Sequence, residues 1–386
     1  MKALNQLKTF QRILDEYPAD TPLGKFLPGF YRQNKQMGST DRRVAGRLVY
    51  NYFRLGRALP NVPPDERLLV AEFLCNTQLN SYLQHFKPDW AACIGFTVNE
   101  KIAIVKTTYP DFKEADVFPW SAELSADIDK EKFLRSFFVQ PELYIRVIKG
   151  HEQAVKAELT KAGIVFKDEG NGCLCLPNGT RLENIFPQQH WFEVQDYSSQ
   201  QTAQFFRQEK WDKWWDACAA SGGKSLLLHS LQPDIKLVVS DIRESILANL
   251  DERFRQAGLL KYQKKILDLT QNPDQEMHDY EFDGIILDAP CSGSGTWGRT
   301  PEMISQFSPQ KIAFFQRLQQ SILRNVVKFL KPGKSIIYIT CSAFKAENEE
   351  AVDFMVTELG LKLEEMKVLK GYERRADTMF VARLKA

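Results

Sequence analysis

The sequence predicts an α/β fold whose main part is a doubly wound, mainly parallel sheet of seven strands. From residue 195 onward, short apolar segments rich in β-branched residues alternate with amphipathic segments. That alternation is typical of a parallel sheet covered by helices on both faces. Pro and Gly follow several of the apolar segments, which ends the strands. Strands are predicted around Trp215 and at Leu237–Ser240, Lys264–Leu267, Ile285–Leu287, Ile336–Thr340, Met366–Leu369 and Phe380–Leu384.

Amphipathic segments with apolar residues at three- and four-residue spacing predict the helices that connect these strands. They lie at Ser199–Gln208, Gly223–Leu231, Glu244–Ala257, Pro309–Leu330 and Glu347–Leu359.

Two smaller regions precede the large sheet. Helical spacing predicts an all-helical domain over residues 1–115, including a helix from Asp41, its expected N-cap, to Leu59. Residues 120–194 mix helix-like and strand-like patterns, which predicts a small α+β module, and residues 195–386 form the domain of the large sheet. In the module, strands are expected at Leu143–Ile148, Ile164–Phe166 and Cys173–Leu176.

Composition excludes several classes of protein. The 386 residues are 44% hydrophobic and contain 51 Lys and Arg against 49 Asp and Glu. No run approaches the ~18 apolar residues of a membrane span, and the N-terminus lacks a signal-peptide pattern. The seven cysteines are scattered and odd in number, so no disulfide framework is expected, and no His cluster completes a metal site. We therefore expect a cytoplasmic protein without a metal, and take a monomer as the default.

Positive charge is concentrated near the N-terminus. Residues 1–57 contain eleven Lys and Arg but four Asp and Glu. A phosphate-binding face and an ordinary solvated helical surface both explain this pattern.

The first strand–helix junction of the large sheet and the ends of three later strands predict a nucleotide pocket. Small residues let the backbone of the junction approach a ligand closely, and acids at strand ends can bond a ribose or a base. Together they indicate an adenosine-containing ligand. The candidate ligand-binding residues are Cys218, Ala219, Ala220, Ser221, Gly222, Gly223, Lys224, Asp241, Asp268 and Asp288.

Two cysteines follow predicted buried strands. Cys291 comes three residues after Asp288, and Cys341 follows the strand that ends at Thr340. Carboxyl ends of parallel strands meet at one edge of a sheet, where ligands bind. If the two strands are neighbours, both thiols and the Asp288 carboxyl lie together there.

These motifs resemble the paired-cysteine signatures of the Fmu/Sun, RsmB-type RNA cytosine-5 methyltransferases. The resemblance is strong from about residue 190 to 386, weaker over 141–159 and weakest over 41–54. One departure is that Ser221 stands where the family motif C-A-A-P-G-G-K has proline. The matching segments are Val194-Gln195-Asp196, Asp288-Ala289-Pro290-Cys291-Ser292-Gly293-Ser294-Gly295, Arg299-Thr300-Pro301-Glu302, Thr340-Cys341-Ser342 with Glu347-Asn348-Glu349, and Asp377–Leu384.

The resemblance implies a class I methyltransferase domain preceded by a NusB-like helical domain, with S-adenosylmethionine as cofactor and RNA as substrate. Ribosomal RNA is favoured and transfer RNA is possible. In such enzymes a thiolate adds to C6 of cytosine and makes C5 nucleophilic. By resemblance Cys341 is that nucleophile and Cys291 assists its release. Asp288 would face the base and touch the cofactor, and Lys224 would favour a thiolate.

Two other functions stay open on the sequence. Gly223-Lys224-Ser225 resembles the end of a P-loop, although Cys218 stands at the position of its first glycine. The second open function is an RNA-binding factor with the same fold and no catalytic activity. It stays open because Ser221 restrains the backbone of the junction less than proline would.

Overall fold

The computed structural model describes residues 2–187 and 190–386. Its α-helices, in chain order, are α1 (Lys2–Glu16), α2 (Leu23–Gln33), α3 (Ser39–Arg54), α4 (Pro64–Cys75), α5 (Ser81–Phe86), α6 (Pro88–Ala92), α7 (Val98–Thr108), α8 (Lys130–Ser136), α9 (Glu152–Lys161), α10 (Leu182–Ile185), α11 (Tyr197–Gln201), α12 (Gly223–Leu231), α13 (Glu244–Gln256), α14 (Asp274–Met277), α15 (Glu302–Gln306), α16 (Gln310–Val326) and α17 (Glu349–Thr357).

Eleven strands lie within the described residues. They are β1 (Leu143–Val147), β2 (Lys167–Gly170), β3 (Cys173–Leu176), β4 (Phe192–Val194), β5 (Lys213–Asp216), β6 (Lys236–Asp241), β7 (Tyr262–Ile266), β8 (Phe282–Asp288), β9 (Leu330–Thr340), β10 (Lys362–Leu369) and β11 (Met379–Lys385).

The chain forms two compact units. The first comprises the described residues up to Ala122 together with Asp129–Gln140 and Thr296–Ser308, and the second comprises the described residues of Glu123–Ile128, Pro141–Gly295 and Pro309–Ala386.

The first unit is helical, as the sequence predicts, and contains α1 to α8 and α15. Its segment 296–308 is held by a buried acid, because Glu302 Oε1 accepts a hydrogen bond of 3.0 Å from the backbone N–H of Leu23 at the start of α2. The expected N-cap at Asp41 is wrong. Helix α3 begins at Ser39, so Asp41 lies in its first turn, where a negative charge still favours the helix dipole.

The second unit contains the predicted seven-stranded, mainly parallel sheet, in the order β10-β11-β9-β8-β5-β6-β7. The five strands from β9 to β7 are parallel, and β11 is antiparallel to both β9 and β10. Ile285, Ile286 and Leu287 of β8 have no exposed surface, as expected for a central strand covered on both faces.

The same unit contains the small α+β module, an antiparallel sheet in the order β2-β3-β1-β4. The expected strand at Ile164–Phe166 is wrong, because the strand that pairs with β3 is the polar segment Lys167–Gly170 and Val165 is 81% exposed. An edge strand needs only its backbone to pair, so its apolar content is a poor guide to its position.

Two predicted helices are shorter than expected. The segment Ser199–Gln208 divides into α11 and a 3₁₀ turn at Thr202–Phe205. Glu347 closes a 3₁₀ turn before α17 instead of starting the helix.

Candidate active site

Strands β8 and β9 are parallel neighbours, so their carboxyl ends lie side by side. The structure confirms the expected meeting of the two cysteines, with Cys291 Sγ 3.2 Å from Cys341 Sγ. This hydrogen bond to Cys341, together with burial, raises the pKa of the Cys291 thiol well above its ordinary value. Cys291 therefore keeps its proton and can donate it to the Cys341 sulfur.

A buried carboxyl group, Glu347, joins the two loops that carry these cysteines. Its Oε2 accepts hydrogen bonds from the backbone N–H of Ser292 at 2.7 Å and from Gln319 Nε2 at 3.3 Å. Its Oε1 accepts one from Ser342 Oγ at 2.8 Å. Each cysteine is therefore followed directly by a residue bonded to the same acid.

Gly295 brings the same loops into backbone contact. Its N–H donates to the Cys341 carbonyl and its own carbonyl accepts from the Thr378 N–H, both at 2.9 Å. A Cβ on Gly295 would overlap the Thr378 carbonyl, and because that carbonyl belongs to the backbone it cannot move away easily.

We expect Gly295→Ala to lower the free energy of unfolding by about 2 kcal/mol, the usual cost of overpacking. The matched control is Gly29→Ala within helix α2, where a Cβ meets open space and should stabilise by about 1 kcal/mol. Urea denaturation measures both changes. Equal stability of the Gly295→Ala variant and the unaltered protein would contradict the close approach.

Asp288, the last residue of β8, is bonded to Lys224. The distance from Lys224 Nζ to Asp288 Oδ2 is 2.9 Å, and the lysine side chain is only 9% exposed against 31% for the acid. The open side of the carboxylate therefore faces the site with its charge balanced.

The glycine-rich junction connects β5 to helix α12 through two residues with positive φ. Ala220 has φ 47° and Gly222 has φ 81°. A Cβ on Gly222 would meet the ring of Phe254, so glycine is required there for space as well as for conformation. The junction thus turns tightly enough to leave backbone groups facing the pocket.

Asp241, at the end of β6, is fully engaged by hydrogen bonds. Its Oδ2 accepts from the Ala220 N–H at 3.0 Å and from Arg243 Nη2 at 3.2 Å, and its Oδ1 accepts from the Arg243 N–H at 2.9 Å and Nε at 3.0 Å. Burial alone would raise the pKa of Asp241, but the bonds from Arg243 outweigh it and lower the pKa. Asp241 is therefore a carboxylate at neutral pH.

A cavity of about 470 Å³ opens at this edge of the sheet. Its volume is in the range of small-molecule sites. Asp268, for which the sequence predicts a ligand contact, also lines the cavity, and its Oδ1 accepts a hydrogen bond from Thr270 Oγ1 at 2.6 Å. The cavity is lined by Ala217, Cys218, Ala220, Asp241, Ile242, Arg243, Leu267, Asp268, Leu269, Thr270, Asp288, Ala289, Pro290, Cys291, Leu318, Ile322 and Cys341.

A second cavity of about 280 Å³ shares Cys218, Ala220 and Asp288 with the first. It is also lined by four more of the predicted ligand-binding residues of the junction, Ala219, Ser221, Gly223 and Lys224, but not by Gly222. Its remaining lining residues are Val194, Gln195, Asp196, Ser199, Asp216 and Arg253.

Asp216 is a fully buried acid in this second cavity. Its Oδ2 accepts from Ser225 Oγ at 2.6 Å, and its Oδ1 has no partner among the described residues. Burial, reinforced by the nearby Asp288, raises the pKa of Asp216 from 3.8 to about 7.

The raised pKa of Asp216 makes stability depend on pH. Between about pH 4 and 7 the folded protein keeps a proton that the unfolded chain loses, so stability falls as pH rises through this window, by roughly 4 kcal/mol. Above pH 7 both states are ionised and this contribution is constant. We expect Asp216→Asn to flatten the profile between pH 4 and 7, measured by denaturation at several pH values. The exposed control Asp353→Asn should leave the slope unchanged; an equal slope in both variants would contradict the assignment.

Ser221 is held by an arginine from helix α13. Arg253 Nη1 donates to the Ser221 carbonyl at 2.9 Å and to Ser221 Oγ at 2.8 Å, and Arg253 Nη2 pairs with Glu193 Oε2 at 2.5 Å. A serine hydroxyl can accept such a bond and a proline cannot. The junction is therefore restrained by hydrogen bonds at the position where the family motif has a ring.

The sequence did not predict that Glu347 and Arg253 contribute to this site. Glu347 lies in a segment that resembles the family motif, but its bonds to both cysteine loops depend on tertiary structure. Arg253 gave no signal, because an arginine near the end of an amphipathic helix is ordinary.

Within residues 2–187 and 190–386 no group of three or more His, Cys, Asp or Glu side chains is placed to hold a metal ion. Across the same residues, no helix has the length and apolar character needed to cross a bilayer.

Residues 203–384 match the family model described as 16S rRNA methyltransferase RsmB/F. The ribosomal RNA small subunit methyltransferase B of Proteus mirabilis is 30% identical over 223 residues, which are 55% of this chain and 51% of that protein. The protein of the same name from Salmonella paratyphi B is 32% identical over 183 residues, or 46% of this chain and 42% of that one. The chain spans about half the length of these curated relatives.

Solved structures share the fold. The crystal structure of PH0851 has a TM-score of 0.68 at 19% identity and covers 92% of this chain and 93% of its own. NSun6 from Pyrococcus horikoshii with SFG has a TM-score of 0.61 at 17% identity and covers 69% of this chain and 96% of its own. At these identities the likeness extends to the fold alone.

Proposed function

We propose that this chain, whose residues 203–384 match the RsmB/F methyltransferase model, transfers a methyl group from S-adenosylmethionine to C5 of a cytidine in RNA. The observation that carries the proposal is the thiol pair Cys291 and Cys341, 3.2 Å apart, lining one cavity with Asp288. A base and a methyl donor must meet at such a place.

The large cavity fits the cofactor in chemistry and size. Asp241 stands at the strand end from which an acid bonds ribose hydroxyls, and apolar Ile242, Leu318 and Ile322 supply walls for an adenine ring. When bound there, the cofactor supplies the electrophilic methyl group. The NSun6 structure, which has the same fold, contains SFG, and this supports a ligand site in the domain.

The chain's own residues would activate the base. Cys341 attacks C6 of cytosine as a thiolate, which leaves C5 electron-rich. Asp288, with 31% of its side chain exposed, can bond the exocyclic amine and support protonation of N3. Lys224 holds Asp288 in place and adds positive charge beside the site.

The two thiols would have different roles in the reaction. Because the pKa of Cys291 is raised by its bond to Cys341, Cys291 stays protonated while Cys341 acts as the nucleophile. After methyl transfer the C5 proton would pass to solvent, its electron pair would form the C5–C6 double bond, and the bond from C6 to Cys341 would break with the sulfur leaving as a thiolate. Cys291 is within hydrogen-bond distance of that sulfur and would assist its departure.

Ribosomal RNA is the favoured substrate and transfer RNA the alternative. The relatives that match at 30% and 32% identity are named as ribosomal RNA methyltransferases. The helical unit, whose N-terminal segment up to residue 57 is rich in Lys and Arg, would contact the RNA backbone.

The test is methylation by the purified protein of small-subunit ribosomal RNA and of transfer RNA, each made without modifications, with S-adenosylmethionine bearing a labelled methyl group. Nucleoside mass spectrometry should find labelled 5-methylcytidine in the ribosomal RNA. Label on another nucleoside, or on neither RNA, would overturn the proposal. Bisulfite mapping of RNA from a strain lacking the gene would then locate the cytidine.

We expect Arg253→Ala to weaken the binding of S-adenosylmethionine by up to about thirtyfold, because the junction at Ser221 loses two hydrogen bonds worth ~1 kcal/mol each. Titration calorimetry measures the dissociation constant. Arg255→Ala is the matched control, since Arg255 is an exposed residue of the same helix that pairs with Glu252. Equal binding by the two variants would show that the Arg253 contact is dispensable.

A further inference from the structure

Helix α16 continues the wall of the large cavity beyond its mouth. Leu318 and Ile322 line the cavity, and Phe314 precedes Leu318 by one turn on the same side of the helix. The Phe314 side chain is 54% exposed. Its ring lies edge to face with Phe315, with 5.3 Å between the ring centroids, and an exposed ring beside a cavity mouth is available to stack on a ligand.

The position of Phe314 follows from the topology. Helix α16 connects the parallel strands β8 and β9, so it runs antiparallel to them and its first turn lies at their carboxyl ends. Phe314 is about 6 Å along the helix axis from Leu318, on the side away from Ile322. Gln319 donates to the Pro290 carbonyl at 3.1 Å and fixes the helix against the Cys291 loop.

Two cations flank Phe314. Lys311 and Arg317 lie three residues before and after it, and both are exposed. In the part of the chain that the structure describes, neither side chain forms an ion pair or a hydrogen bond. An aromatic face between two free cations is the combination that binds single-stranded nucleic acid, by stacking of a base and contact with phosphates.

We propose that Lys311, Phe314 and Arg317 form a binding surface for single-stranded RNA, on which a base next to the target cytidine stacks against Phe314. This rests on the proposed RNA substrate. The target base must leave its helix to reach Cys341, so its neighbours lose stacking partners, and Phe314 replaces one. Lys311 and Arg317 would then contact the adjoining phosphates.

The first test is binding of a short fluorescein-labelled single-stranded RNA with one cytidine, followed by anisotropy. We expect Phe314→Ala to raise the dissociation constant about tenfold, since stacking on one base contributes ~1–3 kcal/mol. Phe314→Trp should retain binding and Phe314→Leu should not. The control is Trp211→Ala, an aromatic residue 60% exposed just before β5, at the opposite edge of the sheet.

The second test removes the base instead of the ring. RNAs with an abasic site on either side of the cytidine should bind the unaltered protein about tenfold more weakly at one of the two positions. The Phe314→Ala variant should lose nothing further at that position. If the abasic site and the Phe314→Ala change weaken binding additively, the ring does not stack on the neighbouring base and the proposal is wrong.

Salt dependence tests the cations. The double variant Lys311→Gln/Arg317→Gln should reduce the slope of log affinity against log salt by about 0.7 for each lost contact with a single strand. An unchanged slope would remove both residues from the surface.

These results are separable from those on the proposed function. If the unaltered protein makes 5-methylcytidine but Phe314→Ala binds and methylates RNA as well as Trp211→Ala does, only the surface is wrong. Loss of activity in Phe314→Ala with normal RNA binding would also contradict it, because that result would make the ring part of the catalytic pocket or of a contact with another protein.

Discussion

A covalent protein–RNA complex is expected to accumulate in the Cys291→Ala variant when it is incubated with RNA and S-adenosylmethionine. In the proposed mechanism Cys341 can still attack C6 of the cytidine, but the sulfur 3.2 Å away that would assist its release is gone. Methylation should stop after one turnover, so the steady-state rate falls by a factor of about 10³ or more. Denaturing gels with labelled RNA show the complex as a band that survives heating in detergent.

Matched variants identify the nucleophile. Cys341→Ala should lose methylation to the same extent and form no complex, and Cys291→Ala/Cys341→Ala should form none either. Cys175→Ala, a change at a thiol of the small module, should leave activity unaltered. A complex in the Cys341→Ala variant would reverse the roles of the two cysteines.

Removal of the Glu347 carboxyl is expected to have the second largest effect. Glu347, whose side chain has no exposed surface, is the shared acceptor of the Ser292 N–H, the Ser342 hydroxyl and the Gln319 amide, and Glu347→Ala removes it. A lost buried network of this kind costs about 3 kcal/mol. Because each cysteine loop is held by this acid, activity should fall at least tenfold even where the variant is fully folded.

Glu347→Gln separates structure from charge. Burial raises the pKa of Glu347 above its ordinary value, so a neutral side chain of the same shape is tolerated better than alanine. We expect it to recover most of the stability, measured by urea denaturation, and part of the rate. Glu350→Ala, an exposed acid one turn away that bonds Gln316, is the control. Equal losses in the Glu347→Ala and Glu350→Ala variants would contradict the assignment.

The central strands were predictable because their segments are almost purely apolar, whereas their order in the sheet was not. Ile285–Leu287 can only be a strand covered on both faces, and a strand of that kind must end at the edge where ligands bind. This is why the meeting of Cys291 and Cys341 could be expected before any coordinates. The edge strand Lys167–Gly170 is polar and lacks this apolar pattern, so the sequence predicts a strand at the wrong position, Ile164–Phe166.

The contacts that restrain the site were not predictable in the same way. Arg253 reaches Ser221 from 32 residues away, and Glu347 reaches Ser292 from 55 away. A single carboxyl or guanidinium gives no periodicity, and its partner is decided only when the chain is packed. The exposed ring of Phe314 is likewise an ordinary apolar position in the helical pattern of α16.

Arg243 occupies the acceptor positions of Asp241 that a ribose diol would use. A carboxylate has about four such positions, and the two backbone and two side-chain donors described above take all of them. If a nucleoside binds Asp241 as proposed, the Arg243 side chain, which is 58% exposed, must first rotate away from the carboxylate. Return of Arg243 to Asp241 would then favour departure of the nucleoside, so the rotation of one surface side chain would be coupled to both binding and release.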